Sequence, residues 1–211
     1  MCRPIAALLV DFVKGTRITP NQITLLSYVV ALAAAGLLIG WQGRLGLVVA
    51  IVVYELSYVL DCADGMLARW RGIQSTPGHL LDFLMDELKA FAILAAVAVR
   101  LFLEHAETHY LLLGLFGLVC LASGIAMTTF ERRPEIAPPA PKAAAAPRPA
   151  SLVKRLVGLP MRLAKFLIHY PSYILYAALA GHIELYFFPY VAINAVYMLR
   201  SLAVLVVRFG R

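Results

Sequence analysis

Charge is scarce in this chain. Among 211 residues only 19 are Lys or Arg and 12 are Asp or Glu, while 62% are apolar or aromatic, against roughly 45–50% in soluble globular domains. So few polar groups cannot cover the surface of a water-soluble domain of this length, which excludes an ordinary soluble enzyme as well as a disordered chain. Cysteine is scarce too. Cys2, Cys62 and Cys120 are odd in number and widely spaced, which excludes a disulfide framework and a zinc-binding cysteine cluster and predicts reduced thiols. The apolar runs lack the period-two alternation of a membrane β-barrel, and there is no internal repeat.

What the chain does have is long apolar segments. Six runs, near residues 22–40, 45–66, 79–103, 109–130, 165–181 and 183–207, approach the roughly 20 residues that a helix needs to cross a bilayer. The expected fold is all-α: a polytopic bundle of six transmembrane helices, one domain over residues 1–211. Ahead of the first run, in residues 1–18, Ile5, Leu8, Leu9, Phe12 and Val13 recur at helical spacing with Arg3, Asp11 and Lys14 on other faces. That pattern predicts an amphipathic helix lying in the membrane interface. Residues 131–151 hold six of the twelve prolines and many alanines, the composition of an extended cytoplasmic linker. A second interfacial helix is expected in 151–165, interrupted at Pro160. Placing the N-terminus in the cytoplasm puts fifteen bases on the cytoplasmic side and only Arg44 and Arg100 on the far side, so both termini are expected inside, in the inner, cytoplasmic membrane. The net charge of +7 then speaks for anionic lipid rather than nucleic acid.

Against this background the acids of residues 61–86 stand out. Asp61 and Asp64 are three apart at the end of the second run, and Asp82 and Asp86 four apart at the start of the third; either spacing puts both carboxylates on one helix face. The short connection, Arg71 to Pro77, makes the two helices antiparallel neighbours, so the pairs can face one another. Asp86 lies about 10 Å along its helix from His79, within the apolar layer, where an unpaired carboxylate costs at least roughly 2.5–3.5 kcal/mol. A solvated cluster of helix-end charges does not account for that depth. Hard divalent cations do, and Mg²⁺ suits carboxylates combined with phosphate oxygens. Four convergent aspartates match two metals that clamp a phosphoryl group in transfer. Gly65, Ala68 and Gly78 stand one helical turn from Asp61, Asp64 and Asp82, leaving room for a ligand against the backbone. Arg69 adds a guanidinium able to fork onto phosphate.

The segment Asp61-x-x-Asp64-Gly65-x-x-Ala68-Arg69, eight residues, Gly78-x-x-x-Asp82-x-x-x-Asp86 resembles the full signature of the CDP-alcohol phosphotransferases, integral-membrane enzymes of phospholipid synthesis. Thr19-Pro20-Asn21-Gln22-Ile23-Thr24 is similar to the segment those enzymes carry at the start of their first span. The resemblance implies transfer of a phosphatidyl or substituted phosphate group from a CDP-alcohol, foremost CDP-diacylglycerol, to an acceptor alcohol, with release of CMP. It implies two Mg²⁺ or Mn²⁺ ions on Asp61, Asp64 and Asp82, with Asp86 touching one metal and serving as general base. Gly65, Ala68, Arg69 and Gly78 would lie against the cytidine diphosphate, and a homodimer is expected from the family. A CDP-linked head group donated to a lipid alcohol is the alternative within the family. From other classes, a membrane prenyltransferase and a cation transporter also use intramembrane acids. The first normally keeps its acidic motifs far apart in sequence, and the second calls for paired broken helices that are not evident here.

Lys89, on the carboxylate face, and Arg200, deep in the sixth run, are candidate ligands for acceptor or donor phosphate; each could equally be an ion-pair partner of the acids. His169, Ser172, Tyr173 and Tyr176 either line an acceptor pocket or form an interfacial aromatic belt. Glu55 and Asn194 are expected to hydrogen-bond between helices.

Overall fold

The computed structural model describes residues 2–133, 136 and 172–210. Most of the expected linker, the 151–165 segment and His169 lie outside the described residues. Among those described there is no strand, and seven helices follow in order: α1 (Cys2–Val13), α2 (Pro20–Gly40), α3 (Arg44–Arg71), α4 (Thr76–His105), α5 (His109–Glu131), α6 (Ser172–Ala180) and α7 (Glu184–Phe209). Among the described residues four helices, α2, α3, α5 and α7, are long and apolar enough to cross a membrane. At 30 residues α4 is longer than any of these, but it carries Asp82, Asp86, Glu87 and Lys89 in its first half.

The helix ends follow from local chemistry. Thr19 and Gln22 form a capping box, each side chain bonding the other's backbone N–H, with Pro20 as the first helical residue of α2. Pro needs no donor there and its fixed φ suits the first turn. Gly72 ends α3 in the left-handed region at φ 66°, a conformation that glycine adopts without a Cβ clash. Three residues later Ser75 Oγ accepts from the Gly78 N–H and opens α4. The hairpin carrying the four aspartates is therefore tighter than the sequence indicates, with α3 continuing to Arg71 and α4 starting at Thr76.

Packing divides the helices into two compact units. One comprises α1–α4, α5 as far as Gly114, α6, and α7 as far as Phe187; the other contains α5 from Leu115 and α7 from Phe188. In the first, α2 packs on α3 and α4, and α3 also meets α1 and α6. Much of the inward face of α2 is small, with Ser27, Ala31, Ala34 and Ala35 buried, while Leu25, Leu26, Val29 and Leu32 point outward. Small residues inside and large apolar ones outside let backbones approach closely and leave bulk for lipid. At Gly114 the approach is so close that a Cβ would run into the side chain of Ala98 on α4.

Helix α1 departs from the single stripe expected of it. Ala6 and Val10 are buried against Ile23, Val59, Leu60, Ala63 and Leu67, with Leu9 and Val13 packed beside them. Ile5, Leu8 and Phe12 face outward. The stripe splits because α1 is apolar around most of its circumference, and α3 takes the side bearing the smaller residues.

Three arginines tie helix ends together. Arg71 donates to the carbonyls of Val13, Lys14, Thr16 and Ile18 in the α1–α2 connector. Arg100, expected on the far side of the membrane, is fully buried at the α2–α3 end of the unit. Its guanidinium serves the carbonyls of Leu38, Trp41 and Gly43 around the α2–α3 turn and pairs with Glu104 at 2.6 Å. Arg44 donates to Leu179 near the end of α6 at 2.8 Å. The last carbonyls of a helix have no intrahelical donor, and a guanidinium fork supplies several at once.

In the second unit, a Cβ at Gly124 on α5 would meet the Tyr197 ring of α7 at 2.7 Å. Asn194, expected to bridge helices, donates to Tyr190 one turn back on its own helix. A buried amide one turn from a carbonyl finds its partner locally.

Candidate active site

The site is built on the α3–α4 hairpin. Asp61 and Asp64 come from the C-terminal half of α3 and Asp82 from the second turn of α4, and an oxygen of each lies within 4.8 Å of one from each of the others. Asp64 is buried, and its Oδ2 accepts from the Thr24 hydroxyl on α2. Thr24 Oγ1 also reaches the Pro20 carbonyl at 3.2 Å. Sequence alone does not single out this hydroxyl; its signal is a polar residue one turn into an apolar span, within Thr19–Thr24. Asp82 Oδ1 is buried with no hydrogen-bond partner among the described residues. A buried carboxylate oxygen with no donor is costly, and one belonging to a carboxylate grouped with two others fits a cation. The all-oxygen donor set suits Mg²⁺ or Mn²⁺.

Asp86 stands outside that trio. Its Oδ1 accepts from Lys89 Nζ at 3.0 Å, and the same ammonium donates to Asp61 Oδ1 at 2.5 Å. The Lys89 side chain is completely buried, whereas that of Asp86 is 46% exposed. Lys89 thus forms ion pairs with two of the signature carboxylates.

Beside the carboxylates lies a cavity of about 610 Å³. All four small or basic signature positions, Gly65, Ala68, Arg69 and Gly78, line it together with Asp64 and Asp82. The remaining walls include the start of α2, Thr19 to Asn21, and the turn from Ile73 to Thr76. The guanidinium of Arg69 folds back over Gly65, where a Cβ would lie 3.3 Å from Nη1. At Gly78 a Cβ would lie 3.0 Å from Ser75 Oγ and 3.3 Å from Asn21 Oδ1. The glycines thus keep open the floor across which two helix N-termini, those of α2 and α4, look into the same space.

Other expected residues fall elsewhere. Arg200, expected buried, is exposed on α7. The inward face of that helix is set by Val191, Asn194 and Ser201, and Arg200 is 100° off it, as one residue on a helix must be. The Tyr173 hydroxyl donates to the Leu185 carbonyl at 2.5 Å, and Tyr176 is exposed. Glu55 Oε1 is buried without a partner among the described residues rather than bonded across helices.

Long apolar helices carrying a carboxylate trio beside a basic, glycine-floored cavity define an integral-membrane protein equipped for a cation and an anionic ligand. The chain belongs to the CDP-alcohol phosphatidyltransferase family, whose profile matches residues 17–183; it is a CDP-alcohol phosphotransferase of phospholipid synthesis, using a CDP-alcohol donor and an alcohol acceptor in a membrane. A phosphatidylinositol phosphate synthase of Corynebacterium glutamicum is 30% identical over 156 residues, covering 74% of this chain and 67% of that protein. The crystal structure of the Mycobacterium tuberculosis phosphatidylinositol phosphate synthase in complex with manganese and citrate shares the fold, with a TM-score of 0.55 at 19% identity over 100% of this chain and 88% of that one. Its apo form gives 0.51 at 20% identity, covering 95% of each chain.

Proposed function

We propose that this enzyme transfers the phosphatidyl group of CDP-diacylglycerol to a phosphorylated polyol, with inositol phosphate the first acceptor to test. The observation that carries the reading is the carboxylate trio opening on a cavity lined by all four of Gly65, Ala68, Arg69 and Gly78. The name of the Corynebacterium relative supports the acceptor class. Asp61, Asp64 and Asp82, with Asp86, would hold two Mg²⁺ or Mn²⁺ ions, which when bound neutralise diphosphate charge. Arg69 adds a fixed cation at the cavity wall, and Gly65 and Gly78 let the nucleotide lie against the backbone. Asp86, half exposed with one oxygen held by Lys89, takes the proton of the acceptor hydroxyl as general base. The hydroxyl oxygen then bonds to the phosphorus bearing diacylglycerol, the bond from that phosphorus to CMP breaks, and CMP leaves.

In this reading the whole chain is one catalytic domain with six spans, and α1 lies in the interface on Ile5, Leu8 and Phe12. Both termini and the site face the cytoplasm. The test is CMP release by purified protein from CDP-diacylglycerol with inositol phosphate and pooled alcohols, products being identified by mass spectrometry. Mn²⁺- or Mg²⁺-dependent formation of a phosphatidyl product is expected. Turnover only with a CDP-linked head group and diacylglycerol would reverse the donor assignment.

A further inference from the structure

We propose that Lys89 is a built-in third cation of the site: it positions the general base and weakens divalent-metal binding by drawing on the same carboxylates. The inference rests on the metal and base roles given above. Lys89 is three residues after Asp86, so helix geometry alone brings that pair together. Its reach across to Asp61 at 2.5 Å is different, because Asp61 belongs to α3. One ammonium therefore links a ligand of the trio to the base, across the gap between the two helices.

The ammonium itself is completely buried and sits 5.7 Å from the centre of the Tyr58 ring, within range of a cation–π contact. A buried lysine is costly unless paired, and here the pairing is with two carboxylates of the reaction site rather than with a separate acid. Two consequences follow. Holding Asp86 by Oδ1 fixes the direction of its other oxygen, which orients the base toward an incoming hydroxyl. Placing a positive charge on Asp61 Oδ1 lowers the attraction of the cluster for a divalent cation, because like charges a few ångströms apart repel. Loss of the ammonium should therefore tighten metal binding while slowing the reaction, two effects of opposite sense that a merely structural residue would not produce.

The experiment is Mn²⁺ titration of the full-length chain in detergent by calorimetry, with steady-state CMP release measured alongside. Lys89→Met should bind Mn²⁺ about tenfold more tightly than the wild type and show kcat at least about tenfold lower, with donor KM changed less than about threefold. Lys89→Arg, which keeps the charge, should return Mn²⁺ affinity to the wild-type value and recover much of kcat. Unchanged or weaker Mn²⁺ binding by Lys89→Met, or unchanged kcat, overturns the proposal. Lys89→Gln is the second charge-removing variant. If both neutral variants fold only when Mn²⁺ is supplied, the metal replaces the ammonium and the proposal stands; if they fold under neither condition, Lys89 is a folding element and the proposal falls. Because titration uses Mn²⁺ alone, its outcome is independent of the donor assignment, which fails separately if wild-type protein binds Mn²⁺ but leaves CDP-diacylglycerol intact.

Discussion

Asp86 and its neighbours in the signature differ in what holds them. Asp64 is buried beneath the Thr24 hydroxyl, whereas Asp86 stands half exposed with a single ammonium on one oxygen. A carboxylate fixed from within suits metal ligation; one left half exposed suits proton transfer, which requires access to the hydroxyl. Asp86→Asn should lower kcat by about 10³-fold, since positioned bases contribute roughly 10²–10⁴, while nucleotide binding, followed by displacement of a labelled CDP-alcohol, persists. Gly78 makes a different demand. A methyl there would press on Ser75 Oγ and Asn21 Oδ1 at 3.0 and 3.3 Å, disturbing both the α4 cap and the cavity wall. Gly78→Ala is expected to raise donor KM about tenfold, or about 1.4 kcal/mol of lost binding, with Mn²⁺ affinity unchanged in the same titration.

At the scale of elements, arginines add long-range donors to connectors that local caps already shape. Arg71 at the end of α3 supplies donors to four carbonyls between Val13 and Ile18, and so fixes the approach to Thr19, Pro20 and Asn21, which wall the cavity. Hydrogen bonds from a charged donor are worth roughly 1.5–3 kcal/mol each when buried and less when exposed. Arg71→Ala is accordingly expected to cost about 2 kcal/mol, read as a lower midpoint of thermal unfolding in detergent. Arg71→Lys should recover little, because an ammonium cannot reproduce the fork. From sequence, Arg71 and Arg100 were two charges among nineteen, useful for topology. Their carbonyl partners lie more than fifty residues away, and no spacing rule reaches that far.

For the molecule as a whole, helix length sets which turns lie on opposite sides of the membrane. Helix α3 has 28 residues, about 42 Å at 1.5 Å per residue, so Gln42 at its start and Gln74 just past its end belong on opposite sides of a bilayer. In a cysteine-free background, Gln74→Cys should react with an impermeant thiol reagent only from the cytoplasmic side and Gln42→Cys only from the other. Labelling of both from one side would mean that α3 does not cross. Much of the architecture was legible beforehand because it depends on local terms. Apolar run length gave the helices, and a signature confined to one hairpin brought Asp61, Asp64 and Asp82 together, since a short turn between two helices leaves few other arrangements. Composition alone thus determined a helical membrane protein, and spacing alone the carboxylate constellation. Tertiary structure decided which polar groups pair with carboxylates and which with backbone: Lys89 with Asp61 and Asp86, Thr24 with Asp64, Arg100 with the α2–α3 turn, while Arg200 meets no buried face. Those outcomes depend on the rotation of each helix about its axis and on partners distant in sequence, and packing between helices sets both.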